Sequence, residues 1–183
     1  MLIPIVRGIE NLDAVRSAEC LEQSVILIGI FLVVPLGAPE QSKAIQEIIG
    51  TKIFPQWIIL FIRLTMALVT LIILTGIFAG IMIGNNCTFP YIPYVVGTVI
   101  SAIALGSIGF LVSVLSNSVV AGYLVSIGYF LFNFLGDISS ENIFYLFSVG
   151  TGNYMTKIWL ALFSAILITI TLIYEKTIAN YSK

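Results

Sequence analysis

"LTMALVTLIILTGIFAGIMIGNNCTFPYIPYVVGTVISAIALGSIGFLVSVLSNSVVAGYLVSIGYFLFNFLG", residues Leu64–Gly136, runs for 73 residues without an Asp, Glu, Lys or Arg. A helix crosses the hydrocarbon of a bilayer in about 20 residues, so this stretch predicts at least three spans folded back on one another. The whole chain agrees, with 59% hydrophobic residues, 9% charged residues and a mean hydropathy of +1.10, far outside the range of water-soluble domains. The expected fold class is an all-α integral membrane protein, a single transmembrane domain over residues 1–183.

Several function classes fall away on composition. The net charge is −1 and no block of basic residues exists, so nothing supports nucleic-acid binding or a polybasic lipid anchor. There is no histidine, which removes imidazole as base, proton relay or metal ligand. Cys20 and Cys87 are far apart and form no C-x-x-C pair, so no zinc or redox motif is present. No metal site and no cofactor of this chain's own is expected. The opening "MLIPIVRGIENLDAVRSAEC" lacks the basic start, apolar centre and small-residue cleavage site of a secretory signal and reads as part of the mature chain.

Charges and turn formers bound five expected spans, at about 21–37, 57–84, 94–115, 119–135 and 158–174. "NNCTFPYIP" after the second reads as a loop at a membrane surface, and "SNS" as a tight polar turn between the third and fourth. The segment "GDISSENIFYLFSVGTGNYMTK" is too polar and glycine-rich to cross, and its aromatic centre is expected in the interface. Basic residues set the orientation. With the island between the first two spans inside, Lys43, Lys52, Arg63, Lys176 and Lys183 lie on the inner side against Arg7, Arg16 and Lys157 outside. Cys20 and Cys87 then lie on the external side, open to a membrane-impermeant thiol reagent. The location implied is a plasma membrane.

That island, "APEQSKAIQEIIGTKIFPQW" (Ala38–Trp57), carries four charges between two apolar spans. Ile45, Ile48, Ile49 and Ile53 share one helical face, and Glu40, Lys43 and Glu47 share the other. Pro39 suits a first helical turn, Glu40 the positive end of the helix dipole and Gly50 the position past the last turn. A short amphipathic helix over about 39–49 follows, and by pattern alone it could simply lie on the inner leaflet.

The order of a span, then "PEQSKAIQEIIGTKIFPQWIILFIRL", then a long span resembles the permease subunits of type-2 ATP-binding cassette exporters. Two further stretches are similar to that family: "ALGSIGFLVSVLSNSVVAGYLVSIGYF", a helix, Ser/Asn turn and helix, and "IFYLFSVGTGNYM", an external aromatic stretch before a closing helix. Together they cover about Leu21 to Tyr174. The resemblance implies that the island is a cytoplasmic coupling helix whose residues Glu40, Gln41, Lys43, Ala44, Gln46 and Glu47 meet a separate ATPase. The chain has no G-x-x-x-x-G-K-[ST] phosphate loop, so ATP and Mg would belong to that partner and this chain is expected not to be an enzyme. The resemblance also implies a second permease copy or homologous permease, and an amphiphilic or hydrophobic substrate such as a peptide, antibiotic or lipid-like molecule. Members usually have six membrane helices preceded by a cytoplasmic amphipathic helix, so with five spans the chain reads as a bacterial permease shortened at its N-terminus.

Individual residues carry further expectations. Gly76, Gly80 and Gly84 give the second span a stripe without side chains, suited to helix packing within the subunit or between subunits. Arg63, inside the second span, either reaches lipid headgroups or pairs at the inner end of a pathway. Asn133 suits a bond to a neighbouring helix, and Asp137 and Glu141 read as solvated loop charges. Two other classes stay open: an accessory or structural membrane subunit of a complex, and a secondary transporter, which commonly has charged or broken helices at mid-membrane.

Overall fold

A computed structural model describes residues 9–41, 56–136, 142, 144–152 and 154–181. Among them there are five α-helices and no strand. Helix α1 is Ala14–Val33, α2 Gln56–Gly84, α3 Tyr91–Leu115, α4 Val119–Leu135 and α5 Tyr154–Tyr181, and a 3-10 helix, Val34–Gln41, continues α1. Four of these stretches, 14–38, 57–84, 91–115 and 154–177, are long and apolar enough to cross a membrane, and α4 is a shorter apolar helix. The chain is an all-α, multi-pass membrane protein.

Several boundaries differ from those that the charges and turn formers predict. Helix α1 begins at Ala14 rather than Leu21, and α5 begins at Tyr154 rather than Ile158 and runs on to Tyr181. Glu22 and Lys157 therefore do not bound spans; they lie inside them. Helix α3 begins at Tyr91 with Pro90 before it and Pro93 in its first turn, where a missing N–H breaks no helical bond.

Pro35 explains the change from α to 3-10 geometry after Val33, because its ring opposes the carbonyl four residues back. Pro39, Glu40 and Gln41 complete that 3-10 helix, so the expected coupling helix does not begin afresh at Pro39. Lys43, Ala44, Gln46 and Glu47 lie outside the described residues. Pro39 also cannot donate to the Leu36 carbonyl, its natural acceptor in a 3-10 helix. Arg63 takes that place, with Nη1 3.4 Å from the Leu36 carbonyl oxygen, and so ties α2 to the end of α1.

Helix α3 is the axis of the bundle and packs against all four other helices. Its inner faces carry small residues, and these let neighbouring backbones approach closely in a medium where no hydrophobic force drives helices together. A Cβ built on Gly109 would meet Ser126 Oγ, Val34 and the Gly122 carbonyl, and one on Gly122 would meet the Gly109 carbonyl and Ser113. Many hydroxyls inside the spans bond their own helix, as Thr70 to Met66, Thr75 to Leu71 and Thr98 to Tyr94, which removes most of their cost in an apolar medium.

The α2 stripe behaves otherwise. A Cβ on Gly80 or Gly84 would meet nothing within 4 Å, and one on Gly76 only the Tyr91 hydroxyl, which donates to the Gly76 carbonyl. Close packing within the subunit is made by α3 with α1 and α4, not by this stripe.

The two ends of the bundle are pinned differently. At the Ala14 end, the Asn11 N–H donates to the Asn85 carbonyl and the Thr88 N–H to the Leu12 carbonyl, so residues 9–13 lie against the α2–α3 turn. Cys20 and Cys87 are both buried there and unbonded to each other. The expectation that an external reagent reaches them is corrected by this burial. At the other end the Ser116–Asn117–Ser118 turn is as tight as its sequence suggests, with Asn117 at φ 51°, a conformation asparagine tolerates better than most residues.

The glycine contacts make a direct prediction. Gly109→Ala or Gly122→Ala should destabilise the purified protein by about 1–3 kcal/mol through overpacking, whereas Gly80→Ala and Gly84→Ala should stay within about 0.5 kcal/mol of the parent. Unfolding of the detergent-solubilised variants, followed by intrinsic fluorescence, measures the difference.

Candidate functional site

Between α4 and α5 the chain does not stay at the surface. Residues 144–152 form a non-helical strap whose centre enters the bundle: Leu146, Ser148 and Val149 are buried. Within the stretch Phe144 is exposed while Leu146 is fully buried. Gly97 makes the room, since a Cβ there would lie 2.6 Å from Val149 Cγ2, and Gly150 passes close to Ala18 of α1. Phe147 sets its ring edge-on to Phe130 and Phe134 of α4.

Irregular backbone at membrane depth persists only where the protein itself satisfies its polar groups, and here each bond can be named. The Leu146 N–H donates to Asn133 Oδ1 at 3.2 Å. Ser101 Oγ donates to the Leu146 carbonyl at 2.9 Å, and Lys157 Nζ donates to the same oxygen at 2.6 Å. The Val149 N–H donates to the Glu22 carboxylate. Asn133 thus bonds the strap and, through Nδ2, the Tyr129 carbonyl of its own helix, rather than a neighbouring helix.

Lys157 is the hub. Its ammonium lies 2.7 Å from Glu22 Oε1, 2.5 Å from Ser101 Oγ and 2.6 Å from the Leu146 carbonyl oxygen. An ammonium has three N–H donors, and all three are used. Both charged side chains are 97% or more buried, with relative exposures of 3% and 1%. Glu22 lies eight residues into α1 and Ser101 ten into α3, so the cluster is about 12–15 Å from the starts of those helices at 1.5 Å per residue. One side chain from α5 therefore binds α1, α3 and the strap at once.

A serine hydroxyl beside a lysine amine is also the contact of a Ser–Lys nucleophile pair. Here Ser101 Oγ lies within hydrogen-bond distance of the Leu146 and Gly97 carbonyl oxygens as well as of Nζ, and Nζ is also held by Glu22 Oε1 and the Leu146 carbonyl oxygen. The lysine acts as a clamp. Among the described residues no three metal-ligating side chains gather.

Beside the strap lies a cleft of about 520 Å³ lined by Ile108, Tyr129, Phe132, Asn133, Asn142, Phe144 and Phe163. It exists because α4 and α5 both pack on α3 without packing on one another. Its lining is mainly apolar and aromatic, with the amides of Asn133 and Asn142 and the Tyr129 hydroxyl as its polar groups. Tyr129 closes that end by donating its hydroxyl to the Phe144 carbonyl at 2.7 Å.

The other residues singled out by sequence do not join this site. Arg63 serves the Leu36 carbonyl, Gly80 and Gly84 face outward, and Asp137 and Glu141 lie outside the described residues. Glu22 and Lys157, the two charges that sequence reasoning placed at a span edge and in an external loop, are the ones brought together.

Removing one partner leaves an uncompensated charge, so Lys157→Met should destabilise the protein by about 3–5 kcal/mol, while the double replacement Glu22→Met, Lys157→Met should recover most of that loss. Thermal unfolding of the four purified proteins, parent included, checks it. Comparison of the chain with protein-family profiles, with curated proteins and with solved structures returns no match.

Proposed function

We propose that the chain is the membrane-spanning permease subunit of an ATP-driven exporter in a bacterial plasma membrane. In this reading it moves an amphiphilic or hydrophobic substrate outward, a separate cassette ATPase hydrolyses ATP, and a second permease copy completes the pathway. The observation that carries the reading is the cleft between α4 and α5. It is apolar along most of its wall, has amides and a tyrosine hydroxyl at one end, and stands between two spans that leave each other free. Such a chamber suits a molecule with a long apolar part and a small polar head better than an ion. The order of elements supports the same reading: a span, a charged island, a long span, two spans joined by a Ser/Asn turn, an aromatic segment and a closing span.

A second reading, a secondary transporter, is favoured by the buried Glu22–Lys157 pair and by the non-helical strap, since charges and broken backbone at membrane depth are usual where ions are coupled to transport.

The two readings separate on one preparation. Affinity-tagged chain purified from native membranes should bring down an ATPase bearing a phosphate loop, identified by mass spectrometry. The Glu40→Lys, Glu47→Lys variant should insert normally and lose most of that ATPase, because reversed charges at a docked surface cost several kcal/mol. Substrate uptake driven by an ion gradient in liposomes holding this chain alone would instead establish the second reading and end the first.

A further inference from the structure

We infer that residues 144–152 are a gate, closed in this structure and locked by the Glu22–Lys157 pair, and that releasing the lock admits water to a polar track between α1 and α3. The inference concerns the bundle alone and holds whichever energy source drives transport.

Three observations converge on it. The first is how the strap is attached. The helices are joined by continuous close packing of small residues, which has no single breaking point, whereas the backbone of the strap is held by a few bonds to Asn133, Ser101, Lys157 and Glu22. One ammonium is common to most of these partners. If its bond to Glu22 is lost, a charge is stranded and the Leu146 carbonyl and Ser101 lose their arrangement in the same step.

The second is what lies beneath. Ser24 Oγ on α1 and Ser148 Oγ on the strap are buried with no hydrogen-bond partner, the two such side-chain atoms among the described residues. Glu22 on α1 and Ser101 on α3 are also buried, and Lys157 links the two between those helices. An element serving packing alone has no reason to leave hydroxyls unsatisfied. Water reaching the track in an open arrangement would satisfy both.

The third is the end of the strap, where Gly152 holds φ +71°, a position at which backbone rotation meets little steric resistance.

The test measures access to the strap's buried face. In a background of Cys20→Ser and Cys87→Ser, Ser148→Cys is reconstituted in liposomes and its rate of reaction with a sulfonated, membrane-impermeant maleimide is followed. With the pair intact the rate should be low. Glu22→Gln or Lys157→Gln should raise it about tenfold or more, since a lost charge-assisted bond exceeds the 1.4 kcal/mol that a factor of ten represents. Ser107→Cys, buried in α3 away from the strap, serves as the control and should stay unreactive throughout. If the single variants do not fold, Ser101→Ala, which keeps the ion pair and removes one acceptor, should still raise the Ser148→Cys rate by about threefold. Rates within a factor of about two of the parent, where no bond energy is lost, would overturn the gate. So would a parallel rise at Ser107→Cys, which would mean that the pair holds the whole bundle.

Discussion

An ammonium ion in a low-dielectric interior must find a partner for each of its three N–H groups and a negative charge to balance its own. Lys157 meets both demands with groups from three other parts of the chain. That necessity fixes the rotation of α1, which must turn Glu22 inward, and the depth of α5 relative to α3. It also fixes the path of the strap, whose Leu146 carbonyl is the remaining acceptor. An apolar contact of the same size would tolerate sliding by a fraction of a turn. A three-bond cluster does not.

The pair works only because α3 has little side-chain bulk where it must be approached. Gly97 yields space to Val149, and Gly106 lets α1 pass so closely that a Cβ there would lie 3.0 Å from the Gly29 carbonyl. Larger residues on α3 would push α1 and the strap outward and separate the charges from their acceptors. The polar cluster and the small residues are thus one arrangement, the first giving register and the second proximity.

Much of this architecture is legible in sequence, because 73 residues without a charge leave few alternatives to a folded set of spans. The Ser116–Ser118 turn and the long second span follow from local chemistry alone. The cluster does not, for a specific reason. Charges normally end spans, and that rule cuts α1 at Leu21 and α5 at Ile158, leaving two spans of 17 residues. The shortness was itself the signal. Extending each helix back across its charge gives ordinary lengths and brings Glu22 and Lys157 inside the helices, where a buried acid and a buried base have reason to pair. The strap's insertion depends on contacts between residues more than 40 apart in sequence, such as Ser101 with Leu146, which no local pattern contains. Before the island, Pro35 and Pro39 shape residues 34–41 into a 3-10 helix that the period of the isoleucines does not reveal.

The brevity of α4 bears on the surrounding lipid. Its 17 residues span about 26 Å, against roughly 30 Å of hydrocarbon, while the 29 residues of α2 extend over about 43 Å. The two flanks of the molecule therefore ask for different bilayer thicknesses. Tilt accommodates the long helix, but a short one is accommodated by drawing the leaflets together, at a fraction of a kcal/mol per ångström. The thin flank is the one beside the cleft. Acyl-chain length thus becomes a determinant of the protein's shape on that side: membranes of shorter chains relax the flank, and thicker, more ordered ones strain it at the wall of the cleft.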